Sequence, residues 1–164
     1  MSYKKKTWKE KLESNKDFPK ILKLEENFPC WKALKKVGAK AGDSVVLAPG
    51  QEIYDLIKKV PRGKLQTLNI LCEKLASNHG VDYCCTLTTG IYVNIAANAS
   101  EEMEDNMPYW RTIKNDGSLN PKYPGGMEKQ KYKLQEEGFI LIEKGRKNIR
   151  YVVKDYEKYL IHRK

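Results

Sequence analysis

Few groups in this chain are equipped for covalent chemistry. There are four cysteines, Cys30, Cys72, Cys84 and Cys85, and two histidines, His79 and His162. Cys84 and Cys85 are adjacent and no CxxC spacing occurs, so the usual zinc pattern is absent and no metal is expected. The cysteines read as reduced, buried thiols, the common state of free cysteine. A second reading attaches to Cys84 and Cys85. If a helix begins just after them, its N-terminal dipole would depress a thiol pKa and create a nucleophile. The other unusual stretch is "NMPYWRTIKNDGSL", Asn106 to Leu119, where Tyr109 and Trp110 stand side by side between a proline and an arginine. A phenol with a pKa near ~10 and no adjacent base is a poor nucleophile, so these rings invite a reading other than catalysis.

Charge suggests what the chain meets. The net charge is +10, and its distribution is uneven. Residues 1–40 hold 12 basic and 5 acidic groups, residues 41–107 hold 5 and 9, and residues 108–164 hold 14 and 7. Two basic flanks around an acidic middle fit a polyanionic partner as well as a lysine-rich solvated surface. No apolar run approaches the ~18 residues of a membrane span, so no membrane partner is expected. "MSYKKKTWKEKLESNKDFPK" lacks the apolar core and cleavage pattern of a secretory signal, and a cytoplasmic protein is expected.

The elements that must position these residues follow from local pattern. The size suits one domain with an appended arm. Residues 1–50 read as that arm, with helical candidates "TWKEKLES" and "CWKALKKV" and an extended "GDSVVLAPG". From Gln51, "QEIYDLIKKV" places Ile53, Leu56, Ile57 and Val60 on one helical face, and Pro61 ends it. Thr67 can cap a second helix that closes at Gly80. A third helix starts among Thr86, Thr88 and Thr89. Three helices joined by short turns outline a helix-turn-helix or winged-helix module. Beyond it, "NDG" signals a tight turn between extended pieces "YWRTIK" and "SLN". A glycine-led helix ends at Gly138, "FILIEKGRKNIRYVV" forms a hairpin with a cationic tip, and "KDYEKYLIHRK" forms a closing helix. The expected fold class is mainly α with small β: a winged-helix-like domain over 51–164, with a helical and extended arm over 1–50.

The ordered blocks "VPRGKLQTLNILCEKLA" and "PYWRTIKNDGSLNPKYPGGMEKQKYKLQEEG" resemble the DNA-binding domain of alkylguanine-DNA alkyltransferases, over about residues 51–140. They are more similar still to the alkyltransferase-like proteins that lack the acceptor cysteine. Pro61, Gly63 and Thr67 match the family's opening turn and cap. Pro108, Tyr109, Trp110, Arg111 and Thr112 fall on its Pro-Cys-His-Arg active-site motif. Leu134, Glu137 and Gly138 match its Leu-x-x-Glu-Gly signature.

What the resemblance implies is a degenerate former active site at Pro108, Tyr109, Trp110, Arg111 and Glu137. Tyr109 stands where the family has its acceptor cysteine and Trp110 where it has the activating histidine, so no alkyl transfer is expected. Leu68 replaces the family's tyrosine after the capping threonine. No lysine or arginine lies between Val81 and Asn106, and Glu101, Glu102, Glu104 and Asp105 follow the third helix. Tyr109 and Trp110 then form either a stacking wall for a base, worth ~1–3 kcal/mol per base, or a plug in a vacated site. Arg111 reads as a bridge from the loop to a helix end. Nucleic-acid contacts are expected from Arg62, Lys64, Thr67, Thr88, Thr89, Asn94, Tyr109, Trp110 and Arg111. "KGRKN" and Lys4–Lys6 would add sequence-independent affinity that fades with salt. The expected function is non-catalytic binding of double-stranded DNA by a monomer without cofactor, sensing altered bases for a repair-pathway protein. The alternatives are a divergent alkyltransferase using Cys84 or Cys85, and a protein-interaction module that has lost DNA.

Overall fold

The structure, a computed structural model, describes residues 6–14 and 17–161. Lys4 and Lys5 of the basic run and His162–Lys164 of the last expected helix lie outside the described residues.

Six of the expected helices form. Thr7 accepts from Glu10 N at 3.1 Å and caps α1 (Trp8–Glu13). α2 (Trp31–Lys36) follows Phe28-Pro29. α3 (Gly50–Lys58) buries Ile53, Ile57 and Tyr54, and Pro61 stands three residues past its end. Thr67 Oγ1 accepts from Ile70 N at 3.3 Å and starts α4 (Leu68–Asn78), which Gly80 at φ +64 terminates. α5 (Thr86–Met103) is the longest element. Ala96, Ala97 and Ala99 on it are fully buried, and their small side chains let α1 and α3 pack close. α6 (Gly126–Glu136) ends before Gly138.

The strands depart further from expectation. β1 (Lys20–Lys23) pairs antiparallel with β2 (Ser44–Leu47), and β2 pairs parallel with β4 (Tyr83–Cys84). The link from α4 to α5 is therefore not a bare glycine turn; it carries a strand. β3 (Gln66–Thr67) pairs parallel with β5 (Thr112–Ile113), so "YWRTIK" and "SLN" do not form a simple hairpin. The turn itself closes as expected, Lys114 N donating to Ser118 O at 2.9 Å with Gly117 at φ +85. β6 (Leu141–Lys144) and β7 (Arg150–Val153) form the expected antiparallel hairpin. With six helices and three small sheets among the described residues, the fold is mixed α/β rather than mainly α.

The closing helix is a correction. Tyr156–Tyr159 is one 3-10 turn opened by Asp155 at φ +55, after which the chain runs extended. Leu65 N donates to Tyr159 O at 2.8 Å and Ile161 N to Leu65 O at 2.9 Å. Those backbone bonds to a buried residue outweigh the weak helix signal of so short a segment.

The main core gathers Leu12, Val46, Ile53, Ile57, Leu71, Leu75, Val93, Tyr109, Leu134 and Val153. A smaller one holds Leu24, Cys30, Leu34, Ala39, Val45 and Cys85 beneath α2. Gly50 shows how closely residues 6–14 are held. A Cβ there would lie 2.5 Å from Leu12 O and 2.9 Å from the Tyr92 ring. Glu102 of α5 accepts from Trp8 N and Lys9 N at 3.1 and 3.3 Å, so α1 is clamped at its first turn.

Candidate functional site

The 108–112 segment is held by its backbone before its side chains act. Pro108 leads into a 3-10 turn, Tyr109–Arg111, closed by Arg111 N donating to Pro108 O at 3.2 Å. Gln130 Nε2, fully buried on α6, donates to Trp110 O at 3.1 Å. Thr112 and Ile113, both β-branched and both buried, then extend into β5.

This geometry sends Tyr109 inward. Its side chain is 1% exposed, edge-on to Trp110 at 5.4 Å and to Tyr123 at 5.3 Å between ring centroids. Its hydroxyl donates to Glu101 Oε1 at 2.7 Å. Burial, then the Glu101 carboxylate, pushes the phenol far above its ordinary range, so the hydroxyl stays protonated. Glu101 is itself held below the ordinary carboxylate range. Burial alone would raise it, but Lys129 at 2.8 Å and the Tyr109 hydroxyl outweigh that cost.

Trp110 is 7% exposed, and its Nε1 donates to Glu137 Oε2. The carboxylate of Glu137 is a hub. Arg111 Nε reaches its two oxygens at 2.9 and 3.0 Å, and Gly63 N donates to Oε1 at 3.0 Å. Arg111 also donates through NH1 to Val60 O at 2.7 Å, at the end of α3. The expected bridge from loop to helix end is thus present, and Glu137 also takes the Trp110 indole. Lys133 Nζ sits 5.1 Å from the Trp110 ring centroid and the Arg111 guanidinium 5.8 Å, both within cation–π range.

An open groove of about 420 Å³ lies on the other side of Tyr123. One wall is the first half of α5, with Thr86, Leu87, Gly90, Ile91 and Asn94; the other is the 112–123 segment, and Leu68 contributes from α4. Leu87 and Ile91, one helical turn apart, are 49% and 53% exposed at its lip. Lys114 and Lys122 line the opposite wall. Asn120 Nδ2 donates to Asn94 Oδ1 at 2.8 Å, and Asn115 Oδ1 accepts from Asn69 N at 2.8 Å. These two bonds fix the width of the groove at separate points.

The residues singled out from sequence therefore divide. Asn94 lines the groove. Thr88 is half-buried, and Thr89 is 1% exposed, turned inward against Cys84 Sγ at 3.1 Å. Thr67 is spent on capping α4. Arg62 is exposed, with one bond from NH2 to Glu136 O at 3.1 Å, and Lys64 is exposed on the same turn. Pro108, Tyr109, Trp110, Arg111 and Glu137 come together as one block behind the groove rather than on its walls. Of the acidic run, Glu101 accepts from the Tyr109 hydroxyl, Glu102 accepts from Trp8 N, and Asp105 accepts from Ser100 Oγ at 2.6 Å. Leu87, Ile91, Lys114, Asn115, Asn120 and Lys122 went unnoticed as site residues. Only Leu87 and Ile91 carried a signal, two aliphatics one turn apart on a helix without lysine or arginine; the turn residues carried none.

Among the described residues no group of three or more His, Cys, Asp or Glu side chains is arranged to hold a metal ion. No helix there is long and apolar enough to cross a membrane.

No protein-family model matches the chain, and no curated protein matches it either. The fold is similar to that of S. pombe Atl1, an alkyltransferase-like protein solved in complex with damaged DNA containing O6-carboxymethylguanine. The TM-score is 0.51 and the identity 21%, covering 69% of this chain and 94% of that one. An S. pombe ATL structure in complex with DNA is also similar, at a TM-score of 0.46 and 19% identity over the same shares of each chain. At these identities the likeness is one of fold: the chain has an alkyltransferase-like fold.

Proposed function

We propose that this chain is a non-catalytic DNA-binding protein of the alkyltransferase-like kind, and that DNA meets it along the groove between α5 and the 112–123 segment. The observation that carries the proposal is the groove itself. It is open, apolar at one lip through Leu87 and Ile91, amide-lined through Asn94, Asn115 and Asn120, and cationic on the far wall through Lys114 and Lys122. Phosphates would take the lysines, and unstacked or exposed bases the apolar and amide positions. In this reading α5 is the reading helix and the β6–β7 hairpin, with Lys144, Arg146 and Lys147 near its tip, is a wing. Tyr109 and Trp110 brace the groove from behind through Tyr123 instead of stacking on a base. Atl1, the similar structure, is bound to damaged DNA, which makes an altered guanine the first ligand to try and a repair-pathway protein the expected reader of the complex.

The absence of transfer chemistry belongs to the same proposal. The residue in the acceptor position is a phenol kept protonated, and its neighbour's nitrogen donates to Glu137 where a base would have to accept. An acceptor at Cys84 or Cys85 has less support, because both thiols are buried and neither lines the groove. A protein-interaction surface is favoured by one observation, the two exposed aliphatics on a helix that itself carries no lysine or arginine.

A salt titration of duplex binding separates these readings. With about four phosphate contacts, log Kd should rise with log salt at a slope of about 3 to 4, from measurable affinity at about 50 mM. Absence of binding at that salt, with or without an O6-alkylguanine, would overturn the proposal and leave the protein-interaction reading. A mass increment on the protein after incubation with alkylated DNA would overturn its non-catalytic part.

A further inference from the structure

The four cysteines have no part in that function, yet the fold draws all of them to one place. Cys84 and Cys85 are consecutive at the end of β4 and the head of α5, and in extended chain their side chains leave on opposite faces. Cys84 faces the main core with Cys72 of α4, while Cys85 faces the smaller core with Cys30 at the head of α2. The result is two thiol pairs back to back.

The pairs differ in access and in environment. Cys72 and Cys84 both line a cleft of about 160 Å³ whose walls include Asn69, Asp82 and Thr86; Cys30 and Cys85 are not among its lining residues. Thr89 Oγ1 is 3.1 Å from Cys84 Sγ and can donate to it as a thiolate. Interaction with the Cys72 thiol holds Cys84 below the ordinary thiol range, and the same interaction together with burial pushes Cys72 up. Cys30 is pushed up to about 12, by burial first and then by Cys85. One pair thus opens on a cleft and pairs a thiol held below its ordinary range with a second thiol, while in the other pair Cys30 is held above that range.

We propose that Cys72 and Cys84 form an oxidation site for a small hydroperoxide, with Cys84 as the attacking sulfur, Cys72 as the resolving one, and a reversible disulfide between α4 and β4 as the product. In the first step the Cys84 thiolate attacks one peroxide oxygen. The O–O bond breaks, the sulfur is oxidised to sulfenic acid, and the leaving oxygen departs as hydroxide. In the second step the Cys72 sulfur, giving up its proton, attacks the Cys84 sulfur and expels the sulfenic oxygen as water. Across both steps two thiols lose two protons and two electrons, and one hydrogen peroxide becomes two waters. The bond ties α4 to the root of α5 and takes Cys84 Sγ away from Thr89, so oxidation is felt at the helix that forms one wall of the groove. The site stands whether or not the groove binds DNA.

The test uses the full chain, reduced, freed of reductant and given a small excess of hydrogen peroxide near neutral pH. Remaining thiols are blocked with N-ethylmaleimide and the protein is digested for mass spectrometry. The expected product is a Cys72–Cys84 linked peptide, an intact mass lower by two hydrogens, full blocking of Cys30 and Cys85, and reversal by dithiothreitol. In Cys72→Ser, dimedone should trap a sulfenic acid at Cys84; in Cys84→Ser, Cys72 should remain unmodified. Because either variant can fold poorly, the wild-type reaction is repeated in denaturant, where the selectivity for this pair should vanish. Four blocked thiols after native peroxide treatment would overturn the proposal. So would a Cys30–Cys85 or mixed disulfide forming at the same rate, or a Cys72–Cys84 link found only in the unfolded chain.

Discussion

Replacing Glu137 with glutamine removes one charge from the most connected buried group in the molecule. The Glu137 side chain is 3% exposed and that of Arg111 13%, so solvent screens their 2.9 Å contact weakly. The carboxylate accepts from Arg111 Nε, Trp110 Nε1 and Gly63 N. A glutamine amide offers one acceptor oxygen, and its NH2 must then face a donor. Arg111 keeps its bond to Val60 O but loses its counter-charge. Breaking one side of a buried pair costs about 3–5 kcal/mol, and an additional unsatisfied buried donor costs about 1–3 kcal/mol. Part of this is recovered by the surviving amide oxygen, so a net loss of about 3–4 kcal/mol is expected. For a chain of this size that is a fall in Tm of about 6–16 °C. Urea unfolding followed by tryptophan fluorescence, with Trp110 as an internal reporter, gives the free energy directly if the m-value is unchanged. The double variant Glu137→Gln with Arg111→Met should be less destabilised than the sum of the singles, since it leaves no orphan charge. A loss under about 1 kcal/mol, the range of surface pairs, would refute the view that this hub holds the 108–112 segment.

Three further outcomes follow from the same geometry. Tyr109→Phe removes the hydroxyl that donates to Glu101 and should cost about 1.5 kcal/mol in urea unfolding, the low end for a bond to a charged partner because Glu101 is part-exposed; duplex affinity should stay within about twofold, as the ring only braces the groove. Asp116 is held below the ordinary carboxylate range by the Ser118 hydroxyl and then by the Ser118 amide at 3.0 Å. Its contribution is complete above the unfolded value of about 3.9 and is lost as pH falls through the lower folded one; Asp116→Asn should therefore be less stable than wild type at neutral pH and lose less between pH 4 and pH 2, measured by urea midpoints. Lys114→Ala with Lys122→Ala should reduce the salt slope of duplex binding by about 2 with little change in stability, whereas an unchanged slope would remove the far wall from the interface.

What was legible in the sequence was what is encoded locally. Ile53, Leu56, Ile57 and Val60 announce α3 by spacing, Thr67 announces α4 by its capping oxygen, and Gly80 and Gly138 end their helices where expected. The strands that matter for the site are two residues long, too short for local propensity to mark them in the sequence. β3 and β5 pair across a separation of 46 residues because buried Gln66 and Thr112 find each other, Gln66 Nε2 lying 3.4 Å from Thr112 Oγ1. Periodicity has no purchase on such a pair. The groove was hidden for a related reason. Lys114, Asn115, Asn120 and Lys122 read as turn residues, and a turn gives no indication of which helix it will face.

The packed loop and the open groove are joined through a single ring, Tyr123. Tyr109 lies in the core at 1% exposure. Its ring meets Tyr123 edge-on at 5.3 Å, and the Tyr123 hydroxyl donates to Thr112 O at 2.8 Å. Tyr123 and Thr112 also line the groove. Tyr109 therefore sets the back wall of the cleft through one intermediate ring and one strand. The pair Tyr109–Trp110 sets shape: Trp110 locks the loop to Glu137, and Tyr109 holds Tyr123 against β5.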